Sequence, residues 1–216
     1  PDIQKAINQF YRDEKNNEGL KCGLKNPDLE KCHQIQHKTF HKKHLVWLKT
    51  KKSDEESQHK GSSSFFNESE IKRIKTTLDF LNKSYEKIEK KPSVGVITFY
   101  GSQLSELTSL EKKGFWRLPR EDRNYPHLDI RFGTVDRFQG QEKDIIIVSL
   151  VRNNKRHEVG FAKKPHRINV AFSRARNLLI IVGNPDNFRF GNNEKSAQQY
   201  DEIFNIAKKF GSVKGE

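Results

Sequence analysis

The chain has no methionine and only two cysteines among 216 residues. Cys22 and Cys32 lie in a polar stretch and cannot build the bridge framework of a small secreted domain, so reduced thiols are expected. No apolar run approaches the roughly 20 residues that a bilayer crossing requires. The opening Pro1-Asp2-Ile3 has neither the basic start nor the apolar stretch of a signal peptide. A soluble, cytoplasmic protein with no membrane partner is the expectation. The missing methionine at position 1 is what a piece of a longer polypeptide would show. No glycine precedes a lysine, which excludes a G-x-x-x-x-G-K phosphate loop, and no aliphatic strand ends in an acid pair suited to Mg2+. Alone, the chain is expected to be inactive as a nucleoside triphosphatase.

What is present is concentrated. Hydrophobic residues make up 33% and charged residues 32%, yet 15 Phe and several dense aliphatic runs argue against wholesale disorder. The net charge of +13 suits a polyanionic partner such as nucleic acid or nucleotide. Much of that excess falls within residues 134–184, which carry 10 basic against 4 acidic side chains and also hold the sharpest motifs.

Four runs of strand length, 45–48, 94–99, 145–151 and 178–182, are continuously apolar, and 130–135 is a weaker fifth. Continuous rather than alternating character is what a parallel sheet covered on both faces demands. Helical patterns lie between the runs. Asn67 followed by Glu70 predicts a capping-box start, after which Ile71, Ile74, Leu78 and Leu81 recur at helical spacing. Leu104, Leu107 and Leu110 repeat behind a Ser102 cap, and Ile168, Ala171, Phe172 and Ala175 share one helical face. The alternation predicts an open α/β sheet of βαβ units, with ligands outside the carboxyl ends of the strands. The polar stretch 53–64 reads as a mobile loop, 114–129 as an irregular excursion and 185–216 as a trailing helix.

In the segment 134–144, Gly140 sits among side-chain donors with Glu142 close behind. That composition suits a loop whose backbone N–H groups approach a phosphate while a carboxylate receives sugar hydroxyls, or simply a polar turn between strands. On a helical wheel Arg167 and Arg174 flank the apolar face of 167–176 on one side and Arg176 on the other. Guanidinium groups held there at a cleft can meet phosphate, although surface arginines have the same pattern. Cys22, Cys32, His33, His37, His41 and His44 supply zinc ligand types but lack paired short spacings. They read as a polar, partly helical surface, and no metal site is assigned.

Three stretches occur in the order of one known pattern: Thr98-Phe99-Tyr100-Gly101-Ser102-Gln103, then 135–144, then 167–176 running into a strand that ends Gly183-Asn184. They resemble T-P-Y-x-x-Q, V-D-x-F-Q-G-x-E-K-D and R-x-N-V-A-x-S/T-R-A-R of the second motor domain of superfamily 1 helicases. The branch is that of the helicase of nonsense-mediated mRNA decay and its DNA-acting relatives. Phe99 replaces the family's proline. The resemblance implies a three-layer RecA-like fold of the P-loop NTPase type, an open, mostly parallel sheet with helices on both faces, spanning 1–216 as a single domain. It implies the carboxyl-terminal half of an ATP-dependent helicase, whose amino-terminal motor domain is not in this chain. By the same resemblance, Arg174 is an arginine finger; Gly140, Glu142, Arg174 and Arg176 contact ATP with Mg2+; and Thr134, Asp136, Gln139 and Tyr100 lie near single-stranded DNA or RNA. The partner domain would be the amino-terminal RecA-like domain of the same polypeptide. A non-catalytic nucleic-acid-binding or assembly module with a motor-derived fold is the alternative.

Overall fold

The computed structural model describes residues 2–12, 19–21, 23, 25, 30, 32–112 and 125–215. Cys22 and residues 114–124 of the expected excursion lie outside the described residues. The elements are α1 (Asp2–Asn8), β1 (Leu45–Leu48), β2 (Ser57–Gln58), β3 (Phe65–Phe66), α2 (Glu68–Ile88), β4 (Ser93–Thr98), α3 (Gly101–Lys112), β5 (Asp129–Thr134), β6 (Lys143–Ser149), α4 (Pro165–Ser173), β7 (Ala175–Val182), α5 (Pro185–Arg189), α6 (Glu194–Lys209) and β8 (Ser212–Lys214). Short 3-10 turns occupy Gln9–Tyr11, Val135–Phe138 and Gly160–Lys163.

Six strands pair in the order β5-β4-β6-β7-β1-β8, all parallel, and β2 and β3 form a separate antiparallel pair. The continuous apolar runs are explained by two cores. Leu45, Trp47, Ile146, Val148, Leu179 and Ile181 face one, with α1, α4 and α6. Val46, Leu48, Ile145, Ile147, Leu178 and Ile180 face the other, with α2. Because successive strand side chains alternate between faces, both parities must be apolar. Each fully buried aliphatic side chain contributes about 1.5–3 kcal/mol over an exposed one, so a one-residue slip of β6 is strongly disfavoured only through shape and strand ends, not through polarity.

Several expectations change. Asn67 caps α2 by accepting from the Glu70 amide (3.0 Å), but the Asn67 amide donates to Gln103 Oε1 (2.8 Å), which leaves the Glu70 carboxylate free to turn inward. The segment 167–176 is not one helix: α4 ends at Ser173, Arg174 caps it, and Ala175 and Arg176 open β7, because the Lys143 amide donates to Arg174 O (3.0 Å) and Lys143 pairs with Ala175. Residues 185–215 hold α5, α6 and the edge strand β8 where one helix is expected. Within the polar stretch 53–64, Ser57 and Gln58 form β2. No helix among the described residues is long and apolar enough to cross a membrane.

The link from β5 to β6 joins the two rims of the sheet. A connection between parallel strands usually needs a dozen or more residues, yet 135–142 takes the chain from the end of β5, past β4, to the start of β6 on the other rim without an α-helix. It can lie directly on the sheet because Phe138, fully buried, rests over two glycines: a Cβ on Gly95 would stand 2.7 Å from one ring edge and a Cβ on Gly133 2.8 Å from the other.

Candidate functional site

A parallel sheet has two chemically distinct rims, and the sequence-derived site residues divide between them. Gly140 and Glu142 immediately precede β6, and Arg174 and Arg176 stand at the start of the adjacent β7, so these four share the amino rim. Thr134 ends β5, Asp136 follows it, and Tyr100 follows β4, so these three share the carboxyl rim. Of the two groups, only the second stands outside the carboxyl ends of the strands, where ligands are expected. That rule places helix N-termini at the carboxyl rim, whereas Gly140 and Glu142 close a connection instead of opening one.

At the amino rim, Gln139 and Gly140 are the corners of a turn in which the Gln141 amide donates to Phe138 O (3.0 Å). Gln139 has φ −58 and ψ 129, and Gly140 has φ +74, the type II geometry that requires a left-handed residue at the second corner. Gln139 and Gly140 are exposed, and nothing lies within 4 Å of where a Cβ on Gly140 would be. Arg174 is half-buried. Its Nη2 donates to Ser173 Oγ (2.8 Å) and its Nε to Val170 O (3.2 Å), both neutral acceptors, and no carboxylate pairs with it among the described residues. Its position at the carboxyl end of α4 favours a cation through the helix dipole. Arg176 Nε meets Glu142 Oε2 at 3.1 Å, and since both side chains are half exposed this pair contributes at most about 1 kcal/mol. An open glycine turn, a carboxylate loosely held and a rigid cation without a counter-ion are a donor and acceptor set that fits a nucleoside polyphosphate.

At the carboxyl rim, Asp136 Oδ2 accepts from Arg167 Nη2 at 2.7 Å. Thr134 is half-buried at the end of β5. Tyr100 is not a surface residue: it is 1% exposed, its oxygen accepts from the Phe161 amide (3.1 Å), and burial raises the pKa of its phenol. Its ring touches Phe65 edge-on (5.8 Å) and Phe161 at a tilt (5.4 Å), so it offers no free face to a nucleic-acid strand.

A buried polar network behind this rim escapes sequence reasoning. The Glu70 carboxylate accepts from Ser149 Oγ (2.6 Å) and from the Val151 amide (2.9 and 3.0 Å), and Gln103 Nε2 donates to the same Ser149 (2.9 Å). Val151, β-branched, is thereby held at φ +72, a conformation that costs free energy and persists only where surroundings impose it. Burial pushes the Glu70 carboxyl up to about 8, against the lowering effect of the Ser149 and backbone donors. The one sequence signal was the capping-box spacing, which points Glu70 to the wrong partner. Nearby, Arg152 pairs with Glu56 (2.8 Å) and Glu158 (3.1 Å).

The histidine cluster fastens the chain. His33 Nδ1 accepts from the Ile35 amide (3.2 Å), which leaves Nε2 to donate to Lys43 O (3.0 Å), and burial lowers the His33 pKa in support of this neutral form. His44 Nδ1 donates to Asn177 O (2.6 Å). Among the described residues no three His, Cys, Asp or Glu side chains converge as a metal set.

A family model described as "AAA domain" matches residues 2–186. The DNA polymerase alpha-associated DNA helicase A of Saccharomyces cerevisiae is 39% identical over 145 residues, covering 65% of this chain and 19% of that protein. The Regulator of nonsense transcripts 1 homolog of Drosophila melanogaster is 40% identical over 124 residues, 57% of this chain and 10% of that one. Helicase sen1 of Schizosaccharomyces pombe is 36% identical over 126 residues, 58% and 7%. The chain thus spans less than a fifth of the length of each of these relatives.

Proposed function

Since the chain belongs to the AAA domain family and is a RecA-like domain of a superfamily 1 helicase of the nonsense-mediated-decay branch, we propose that it is the carboxyl-terminal half of an ATP-dependent nucleic-acid helicase or translocase. The observation that carries this reading is the half-buried Arg174, whose charge has only neutral partners among the described residues, on the rim that also bears Gly140 and Glu142. ATP, bound with Mg2+, supplies the transferable phosphoryl group. Arg174 stabilises the charge that develops on it, a contribution on the order of 10³–10⁵ in rate for such a group. Glu142 receives ribose hydroxyls once Arg176 yields one carboxylate oxygen, and the open turn at Gly140 admits phosphate to the backbone. The phosphate loop, its lysine and the Mg2+ carboxylate come from an amino-terminal RecA-like domain of the same polypeptide, because this sequence contains no G-x-x-x-x-G-K. Without that domain the chain is inactive.

Thr134 and Asp136 then serve the single strand of DNA or RNA, with Tyr100 as a buried support, and Gln139 at the far end of the same connection couples them to the nucleotide. Two segments run from this rim to the nucleotide rim, 134–142 and 167–176, cross-tied by the Asp136–Arg167 and Glu142–Arg176 pairs. They are the route by which closure on nucleotide reaches the strand grip. The test is strand-stimulated ATP turnover by the full polypeptide with Arg174→Ala. A fall in kcat of about 10²-fold or more at unchanged strand affinity is expected, and an unchanged rate overturns the role given to Arg174.

A further inference from the structure

Phe161 is 50% exposed, yet it is the outer member of a fixed stack. The Arg152 guanidinium lies 4.0 Å over the Phe65 ring, Phe65 meets Tyr100 edge-on, and Tyr100 meets Phe161 at 5.4 Å. The Tyr100 oxygen fixes the position further by accepting from both Arg152 and the Phe161 amide. Gly160 makes that bond possible. It takes φ +62, and a Cβ there would collide with the Tyr100 hydroxyl. An apolar ring is thus held rigidly in water, at a cost in solvation, where Leu or Lys would be the ordinary surface residue.

Its surroundings say what it suits. Residues 152–167 carry six basic side chains and one acidic, and that acid, Glu158, is engaged by Arg152 at 3.1 Å. Lys163 and Lys164 follow shortly in the chain and are exposed, and the Arg167 guanidinium stands over the ring, 5.7 Å from its centroid, while bound to Asp136. A half-exposed flat ring in a segment rich in cations is the arrangement that binds a single strand through one stacked base and its backbone, without regard to sequence.

We propose that Phe161 is a nucleobase-stacking platform, with Lys163 and Lys164 meeting the adjoining phosphates of a single strand. This deepens the proposed helicase function and rests on it. It replaces Tyr100 as the aromatic contact: Tyr100 positions Phe161 and does not itself touch the strand.

The measurement is equilibrium binding of a fluorescein-labelled oligothymidine and an oligouridine to the full polypeptide, over a range of salt. Phe161→Ala should weaken binding by about five-fold to a hundred-fold, the range for one base on one aromatic side chain. Phe161→Trp should bind at least as well as wild type, and Phe161→Leu, apolar but without a π face, should lose as much as the alanine variant. The salt slope should stay unchanged for all three, whereas Lys163→Ala with Lys164→Ala should flatten it. Urea unfolding of each variant reports the fold, so that a loss of binding is read only from folded protein. Wild-type affinity in the alanine variant, or rescue by leucine equal to that by tryptophan, overturns the platform. If the wild type binds neither oligonucleotide, the proposed function falls, and this site with it.

Discussion

The seat of Phe138 offers the sharpest test of how the two rims are joined. Gly95→Ala would put a Cβ 2.6 Å from Ile146 Cδ1 and 2.7 Å from Phe138 Cε1, where ordinary contact begins near 3.4 Å. The Ile146 methyl is the free end of a flexible side chain and can turn away, but the Phe138 ring cannot shrink. Removing glycine from a strand is itself favourable by about 0.5–1 kcal/mol. Overpacking a filled core costs about 1–3 kcal/mol, so the net expectation is a loss of roughly 0.5–2 kcal/mol. The other ring edge faces Gly133, where a Cβ would stand 2.8 Å from Cε2, so in either single variant the ring can slide toward the remaining glycine. Gly95→Ala with Gly133→Ala removes that escape, and the double variant should lose more than the two singles together. Phe138→Leu should relieve Gly95→Ala in part. Urea unfolding of these variants beside the wild type measures this. Neutral or stabilised single variants, or strict additivity, would refute the account of the 135–142 connection as a ring keyed between two bare sheet positions. In the full polypeptide, displacing Phe138 also shifts Asp136 and Glu142 apart from their partners, so strand stimulation of turnover should fall before basal turnover does.

Glu70 makes stability depend on pH. Burial lifts its carboxyl from an ordinary 4.5 to about 8, so between those values the folded chain holds a proton that the unfolded chain has released. Stability therefore falls as pH rises across that window, by at most a factor of about ten in the folding equilibrium per pH unit, and levels off at higher pH. Urea midpoints from pH 5 to 9 should show this slope for the wild type and not for Glu70→Gln; equal slopes would remove Glu70 as the cause. Glu89 ends α2 at φ 55, a left-handed position open to solvent, so Glu89→Gly should stabilise by about 0.5–1 kcal/mol in the same assay.

Much of the candidate site was legible because its residues are local. The turn at Gly140 and the carboxylate of Glu142 follow one another in sequence, and their acid, donor and glycine types could be read directly. The burial of Tyr100 is not legible in sequence, because a tyrosine after a strand looks the same whether Phe161, 61 residues later, covers it or not. Phe161 itself has no periodic neighbour and no motif of its own, so only its exposure and its cations single it out.

The amino-acid order by itself determined that β1, β4, β6 and β7 are buried on both faces, hence parallel and sandwiched, since aliphatic residues of both parities have no other stable home. It also determined family membership through three short stretches in a set order. Tertiary structure alone decided that Arg174 and Arg176 leave the helix, that Glu70 turns from its cap to the end of β6, and that Gly140, Glu142, Arg174 and Arg176 stand on the opposite rim from Thr134, Asp136 and Tyr100. Those outcomes depend on which strands become neighbours and on whether a loop opens or closes a strand. Such pairings join residues tens of positions apart, and no periodicity within a single segment encodes them.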